Sequence, residues 1–250
     1  MPASAPQNWP GRRKHGSGIK GVARTSQGWP GHRGGGSGIK GVARASQGWL
    51  RDQRGGPGIP GAAGRVVLVD APAVATELLA DVGSRLAHTR AVAAQADRAC
   101  HLLEPLWATA LVDAAWLHDV GYAPLLVDTG FHSLDGARWL RANHWPDTVC
   151  RLVAWHTRAG QEARLRDLHS QLQSEFPQPP AAAQTALTWA DLTSSPTGER
   201  CTAEERVASI LARYPAGSVV HRATIMNLPD LFDAAEQIER RLGLKTASRR

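Results

Sequence analysis

The chain has 250 residues and a formal net charge of +7, enough length for one core of ordinary size with segments to spare. The charge is uneven: the first 65 residues hold eleven Lys/Arg against one acid, Asp52, and the remaining 185 hold eighteen against twenty-one. The basicity therefore belongs to an N-terminal tail and gives no reason to expect nucleic-acid binding by the rest, while no run of eighteen apolar residues suggests a membrane span.

Residues 9–28 and 29–48 are tandem copies that match at sixteen of twenty positions, with a decayed third copy following to about residue 64. The copies hold five and seven glycines and few apolar residues, so burial cannot offset the entropy of ordering their backbone. Residues 1–65 are read as a disordered Gly/Arg-rich tail. Two alternatives stay open. The repeats are duplicated DNA read from a mis-called start, the protein proper beginning near 66–70; or the spaced Trp and Arg hold single-stranded nucleic acid by stacking and charge. No apolar stretch of a signal peptide opens the chain. Cys100, Cys150 and Cys201 are widely spaced and form no CxxC, which fits buried thiols in a reducing cytoplasm.

From Asp70 onward the apolar spacing becomes helical. It predicts helices over 72–86, 88–103, 105–118, 133–142, 147–156, 161–176, 181–192, 202–213 and 230–242. Pro72, Pro105 and Pro229 suit first turns or their approach, Gly121 suits a helix end, and Thr202 with Glu205 has the spacing of a capping box. No alternating strand pattern is present. The expected fold is all-α, a domain over 70–245 with about eight or nine helices.

His118-Asp119 closes the apolar run before Val120-Gly121. Further His and Asp residues lie at wide intervals: His88, His132, His156 and Asp191. Imidazole nitrogen and carboxylate oxygen are the donors that divalent transition metals take. Adjacent helical residues point about 100° apart, so His118 and Asp119 can share an ion only where the helix ends. Each residue also has a plain reading as a satisfied core or surface side chain.

The pattern of His88, then His118-Asp119 thirty residues on, then Asp191, resembles the HD superfamily of metal-dependent phosphohydrolases. The likeness covers about residues 80–195. It implies a helical HD-type bundle that binds a divalent metal, one or two ions of Mn, Fe, Co, Ni or Zn, through His88, His118, Asp119 and Asp191. His132 and His156, in GlyPheHisSerLeuAspGlyAla and TrpHisThrArg, resemble the extra histidines with which some HD hydrolases hold a second ion. These segments are similar to those of bacterial enzymes that split dinucleoside tetraphosphates, although the loop from Asp119 to His132 is much shorter here. GlyTyrAla stands at 121–123 where the cyclic-dinucleotide branch has GlyTyrPro. The implied activity is hydrolysis of a phosphoester or phosphoanhydride of a nucleotide or small phosphorylated metabolite through a metal-bound hydroxide, with His118 and Asp119 at its centre.

Arg158 and Arg90 are candidates to meet substrate phosphate, Asp135 to support the site, and Tyr122 and Trp155 to stack on a base. Arg158 is the better placed arginine, because Arg90 lies about 200° round a helix from His88. The expected setting is cytoplasmic, with a small phosphorylated substrate as partner and nucleic acid only through the tail. The rival reading is a non-catalytic HD-type domain that senses a ligand or serves as a scaffold.

Overall fold

A computed structural model describes residues 70–244; the repeat tail lies outside the described residues. Among the described residues ten α-helices follow in order: α1 Ala71–Leu79, α2 Arg85–Cys100, α3 Pro105–Leu117, α4 His132–Ala142, α5 Asp147–Trp155, α6 Gly160–Leu165, α7 His169–Glu175, α8 Ala181–Leu192, α9 Ala203–Arg213 and α10 Val219–Arg241. Short 3₁₀ turns cover Val120–Tyr122, Pro124–Leu126 and His156–Arg158. Among the described residues there is no strand, only an isolated bridge between Ser194 and Arg200. No described helix is long and apolar enough to cross a membrane.

The local rules placed several ends well. Asp70 caps α1 by accepting from the Ala73 amide at 2.8 Å, Pro105 occupies the first turn of α3, and Thr202 and Glu205 form a reciprocal capping box on α9. Three expected helices are corrected. The span 72–86 is broken after Leu79, and Gly83 takes φ +55 in the corner, a conformation that costs glycine little. The span 161–176 is two helices. Asp167 adopts φ +60, and the Leu168 amide reaches back to the Ala163 carbonyl at 2.9 Å, a Schellman closure with Asp where Gly is usual.

The last helix does not start after Pro229; it begins at Val219 and carries Pro229 inside. An interior proline costs about 3 kcal/mol or more. Burial of Ala223, Thr224, Asn227, Leu231, Ala234, Ala235 and Ile238 along one face gives the helix a packed seam through the proline.

α3 and α8 form the centre of the domain. α3 packs on α1, α2, α5 and α8, and α8 packs on α2, α9 and α10. Ala110, Leu111, Ala114, Ala115 and Leu117 of α3 are buried, as is every residue of α8 from Ala183 to Leu192. Small alanines let these helices approach closely. As a result the C-terminal ends of α3, α5 and α8 and the first residues of α2 and α4 converge on one buried polar cluster.

Candidate metal centre

His88, His118, Asp119, His156 and Asp191 are each at most 6% exposed, and the His132 side chain is 14% exposed. Such a concentration of buried polar groups requires partners. α3 ends at Leu117, and Asp119 takes a non-helical backbone (φ −100, ψ 3). That turn lets the neighbours His118 and Asp119 face one centre, with His118 Nε2 3.6 Å from Asp119 Oδ2.

Three histidines are oriented by backbone carbonyls. His118 Nδ1 lies 2.8 Å from the Ala115 carbonyl, His156 Nδ1 2.6 Å from that of Val153, and His88 Nδ1 3.2 Å from that of Ser195. A carbonyl only accepts, so each Nδ1 carries a proton and each ring turns its Nε2 inward. His118 Nε2 is buried with no hydrogen-bond partner among the described residues. Burial drives the imidazolium of His118 down to about 4 against the pull of Asp119 and Asp191. Burial and then the neighbouring His156 hold His132 well below its ordinary value. His118 and His132 are therefore neutral, the form that binds metal, at neutral pH.

The carboxylates are ionised for an opposite reason. Burial disfavours the charge on Asp119, but Arg85, His118 and His132 outweigh it and hold the carboxyl well below the usual range. Arg85 Nη1 donates to Asp119 Oδ2 at 2.7 Å. Arg206 and His88 do the same for Asp191 against its burial. Arg206 Nη2 donates to Asp191 Oδ1 at 3.1 Å, and the Thr157 hydroxyl donates to Oδ2.

Two groups of donors could each hold a metal ion: His88, His118 and Asp119, and Asp119, His132 and His156. Asp119 belongs to both, and a carboxylate offers two oxygens. The distances fit. Two atoms bonded at about 2.1 Å to one ion lie roughly 3.0 Å apart at a right angle and roughly 3.4 Å at the tetrahedral angle. Within the second group His132 Nε2–His156 Nε2 is 3.1 Å and Asp119 Oδ1–His132 Nε2 3.7 Å, and Asp191 Oδ1, outside both groups, lies 3.0 Å from His88 Nε2. The donor set of imidazole and carboxylate suits a first-row divalent metal.

A tight backbone approach sets the spacing of the second group. A Cβ on Gly121 would fall 2.0 Å from the His132 carbonyl oxygen and 2.8 Å from the Gly136 amide nitrogen. Gly121 is thus needed for contact between the turn carrying Asp119 and the helix carrying His132, beyond its expected place at a helix end. Asp135, buried on α4, accepts from the amides of Asp128, Thr129 and Gly130. It fixes the loop that delivers His132 and has its acceptors occupied there.

The cluster forms the floor of a cavity of about 100 Å³. Arg158 lines this cavity, and its Nε is buried without a hydrogen-bond partner. Arg90 is exposed and is not among the lining residues. Neither candidate base-stacker is free to stack. Tyr122 has His132 against one face, 4.0 Å away and 19° from parallel, and the Arg85 guanidinium 3.6 Å from its centroid. Two groups this close cannot share a face, so the ring is sandwiched. Trp155 is core, its indole N–H donating to the Phe176 carbonyl at 2.7 Å.

Arg85, Arg206 and Thr157 were not singled out from the sequence. Arg85 could have been, since it stands one helical turn before His88 and shares its face. Arg206 is 118 residues from His88 and has no local signal. No protein-family model, no curated protein and no solved structure matches this chain, so the case for the centre stands on its residues and their geometry.

Proposed function

We propose that the chain is an HD-type metal-dependent phosphohydrolase that cleaves a phosphoester or phosphoanhydride of a nucleotide or a small phosphorylated metabolite. The observation that carries this reading is the inward-facing Nε2 atoms of carbonyl-oriented histidines around a shared carboxylate, Asp119. His88, His118, Asp119 and Asp191 would hold one ion, and Asp119, His132 and His156 a second.

Charge supports an anionic substrate. Within the cluster, Asp119 and Asp191 are balanced by Arg85 and Arg206 while burial keeps His118 and His132 neutral. Any divalent ion therefore adds uncompensated positive charge to a buried floor, and Arg158 and Arg213 line the same cavity. About 100 Å³ admits a phosphoryl group with a few waters. Glu162, also in the lining, is engaged by Arg166 at 2.8 Å.

A bound divalent ion supplies Lewis-acid charge and lowers the pKa of coordinated water toward neutrality. The chain's own part is positioning. Arg85 keeps Asp119 ionised and fixed, Thr157 fixes Asp191, and the backbone carbonyls fix the rings. Arg158, with its Nε unpaired, would take a phosphate oxygen. Activity of Mn²⁺- or Co²⁺-loaded protein on a panel of nucleotides, sugar phosphates and phosphoanhydrides tests the reading. Hydrolysis abolished by His118→Ala and by Asp119→Ala supports it. Metal-loaded protein that binds such compounds but turns none over favours the ligand-sensing alternative.

A further inference from the structure

Arg206 of α9 is buried, with its side chain 7% exposed, and one of its nitrogens serves two acceptors at once. Nη2 lies 3.1 Å from Asp191 Oδ1 and 3.1 Å from His88 Nε2. The His88 contact is informative. With Nδ1 donating to the Ser195 carbonyl and Nε2 accepting from Arg206, Nε2 has a single in-plane lone pair, set beside Asp191 Oδ1 at 3.0 Å. That lone pair can accept from a guanidinium N–H or bind a metal ion, but it cannot do both. The same guanidinium carries an Nε that is buried without a hydrogen-bond partner, and Arg206 lines the cavity above the cluster.

We propose that Arg206 is an exchangeable counter-cation of the centre: a divalent ion at His88 and Asp191 displaces its guanidinium, which then binds an oxyanion of the phosphorylated substrate. This inference rests on the metal-hydrolase reading above and assigns within it a substrate-binding residue outside the histidine and aspartate set.

Three physical effects favour the exchange. First, ion and guanidinium are both cations calling on the same donor atoms, so their occupancies oppose each other. Second, a displaced guanidinium in a buried site needs a new acceptor. Its planar fork matches two phosphate oxygens, and the cavity is where such oxygens would lie. Third, the guanidinium can leave Asp191 by rotation of its long side chain while the Thr202–Glu205 capping box holds the α9 backbone. Phosphate binding should consequently depend on metal: without the ion, Arg206 is engaged by Asp191 and His88.

The alternative is that Arg206 serves as a fixed brace that orients Asp191 for the ion. The two roles predict opposite signs. An exchangeable cation weakens metal binding, so Arg206→Met, similar in length and uncharged, should bind Mn²⁺ about tenfold more tightly than wild type, the lower range of a charge-assisted hydrogen bond. The Mn²⁺-loaded variant should bind inorganic phosphate about tenfold more weakly, for the same reason. A brace gives weaker Mn²⁺ binding in Arg206→Met.

Calorimetric titration of full-length protein, first with Mn²⁺ and then with inorganic phosphate, separates these cases. Tighter metal with weaker phosphate supports the exchange. Weaker metal binding, or unchanged phosphate binding, overturns it. Arg206→Lys guards against a variant that does not fold, since it keeps the charge beside Asp191. A lysine shares the two acceptors less well, so metal binding should be at or above wild type, and a clear loss overturns the proposal. Wild-type protein that takes up neither Mn²⁺ nor Co²⁺ refutes the metal-hydrolase reading itself, an outcome distinct from a wrong sign in the variants.

Discussion

His132 and His156 meet through their Nε2 atoms at 3.1 Å, and His156 has already committed its proton on Nδ1 to the Val153 carbonyl. Two bare lone pairs at that distance repel. The contact is stable when His132 donates a proton across it or when a cation lies between the rings. His132 is neutral, so metal uptake at Asp119, His132 and His156 should move that proton to Nδ1 of the same ring rather than release it. Mn²⁺ titration at neutral pH should therefore give the same heat in buffers of different ionisation enthalpy, and a buffer-dependent heat would contradict a neutral His132. His156→Ala and His132→Ala should each lose one metal equivalent and keep the other, and two equivalents retained in either variant would remove that residue from the ligand set.

Thr157 occupies a left-handed backbone conformation (φ 47, ψ 39) while its hydroxyl donates to Asp191. Such a residue costs of order 1–3 kcal/mol. Thr157→Val keeps the shape and loses the hydroxyl, so Asp191 should bind metal about tenfold more weakly, as loss of an outer-shell partner does. Thr157→Ser should restore wild-type affinity. Thr157→Gly should relieve the backbone, raising the melting temperature of metal-free protein, yet weaken metal binding like Val. Equal affinity in Val and wild type would show that the hydroxyl does not position Asp191.

A methyl group at Gly121 collides with backbone rather than with a flexible side chain, at 2.0 Å from the His132 carbonyl. Gly121→Ala should therefore destabilise by at least about 2 kcal/mol and also separate Asp119 from His132. Chemical denaturation measures the first effect, and metal counting the second. A stable variant with full metal content would contradict the close approach.

Acid should weaken metal-free protein well above the range where carboxylates titrate. His118 is neutral and buried, its folded-state value about 4 against 6.5 for the free side chain. Below 6.5 the unfolded chain binds a proton that the folded one does not, so stability falls as pH drops from 6.5 toward 4. His118 alone should remove about 2 kcal/mol between pH 7 and pH 5, with His132 adding in the same direction. Asp119 and Asp191 act lower, their stabilisation fading as pH falls below the ordinary carboxyl range. Melting curves of chelator-treated protein from pH 7.5 to 4.5 check this, and a flat profile above pH 5 would show that His118 is not buried neutral.

What the sequence determined by itself is local. Apolar spacing and the caps at Pro105 and Thr202 specify helices, because those signals act over one or two turns. The types and order of His88, His118, Asp119, His132, His156 and Asp191 name the chemistry they can share. Local rules misread Pro229, where packing along α10 carries the helix through, the break after Leu79, with Gly83 at positive φ in the turn that follows, and the break at Asp167, where a positive-φ residue closes α6. The tertiary structure alone decided the neighbours of the ligands. Arg206 reaches His88 across 118 residues, Tyr122 is closed between Arg85 and His132 rather than open to a base, and Asp135 ties down a loop instead of facing the cavity. These are contacts between elements distant along the chain. Their existence depends on how α3 and α8 pack, and no periodicity within a single helix encodes that.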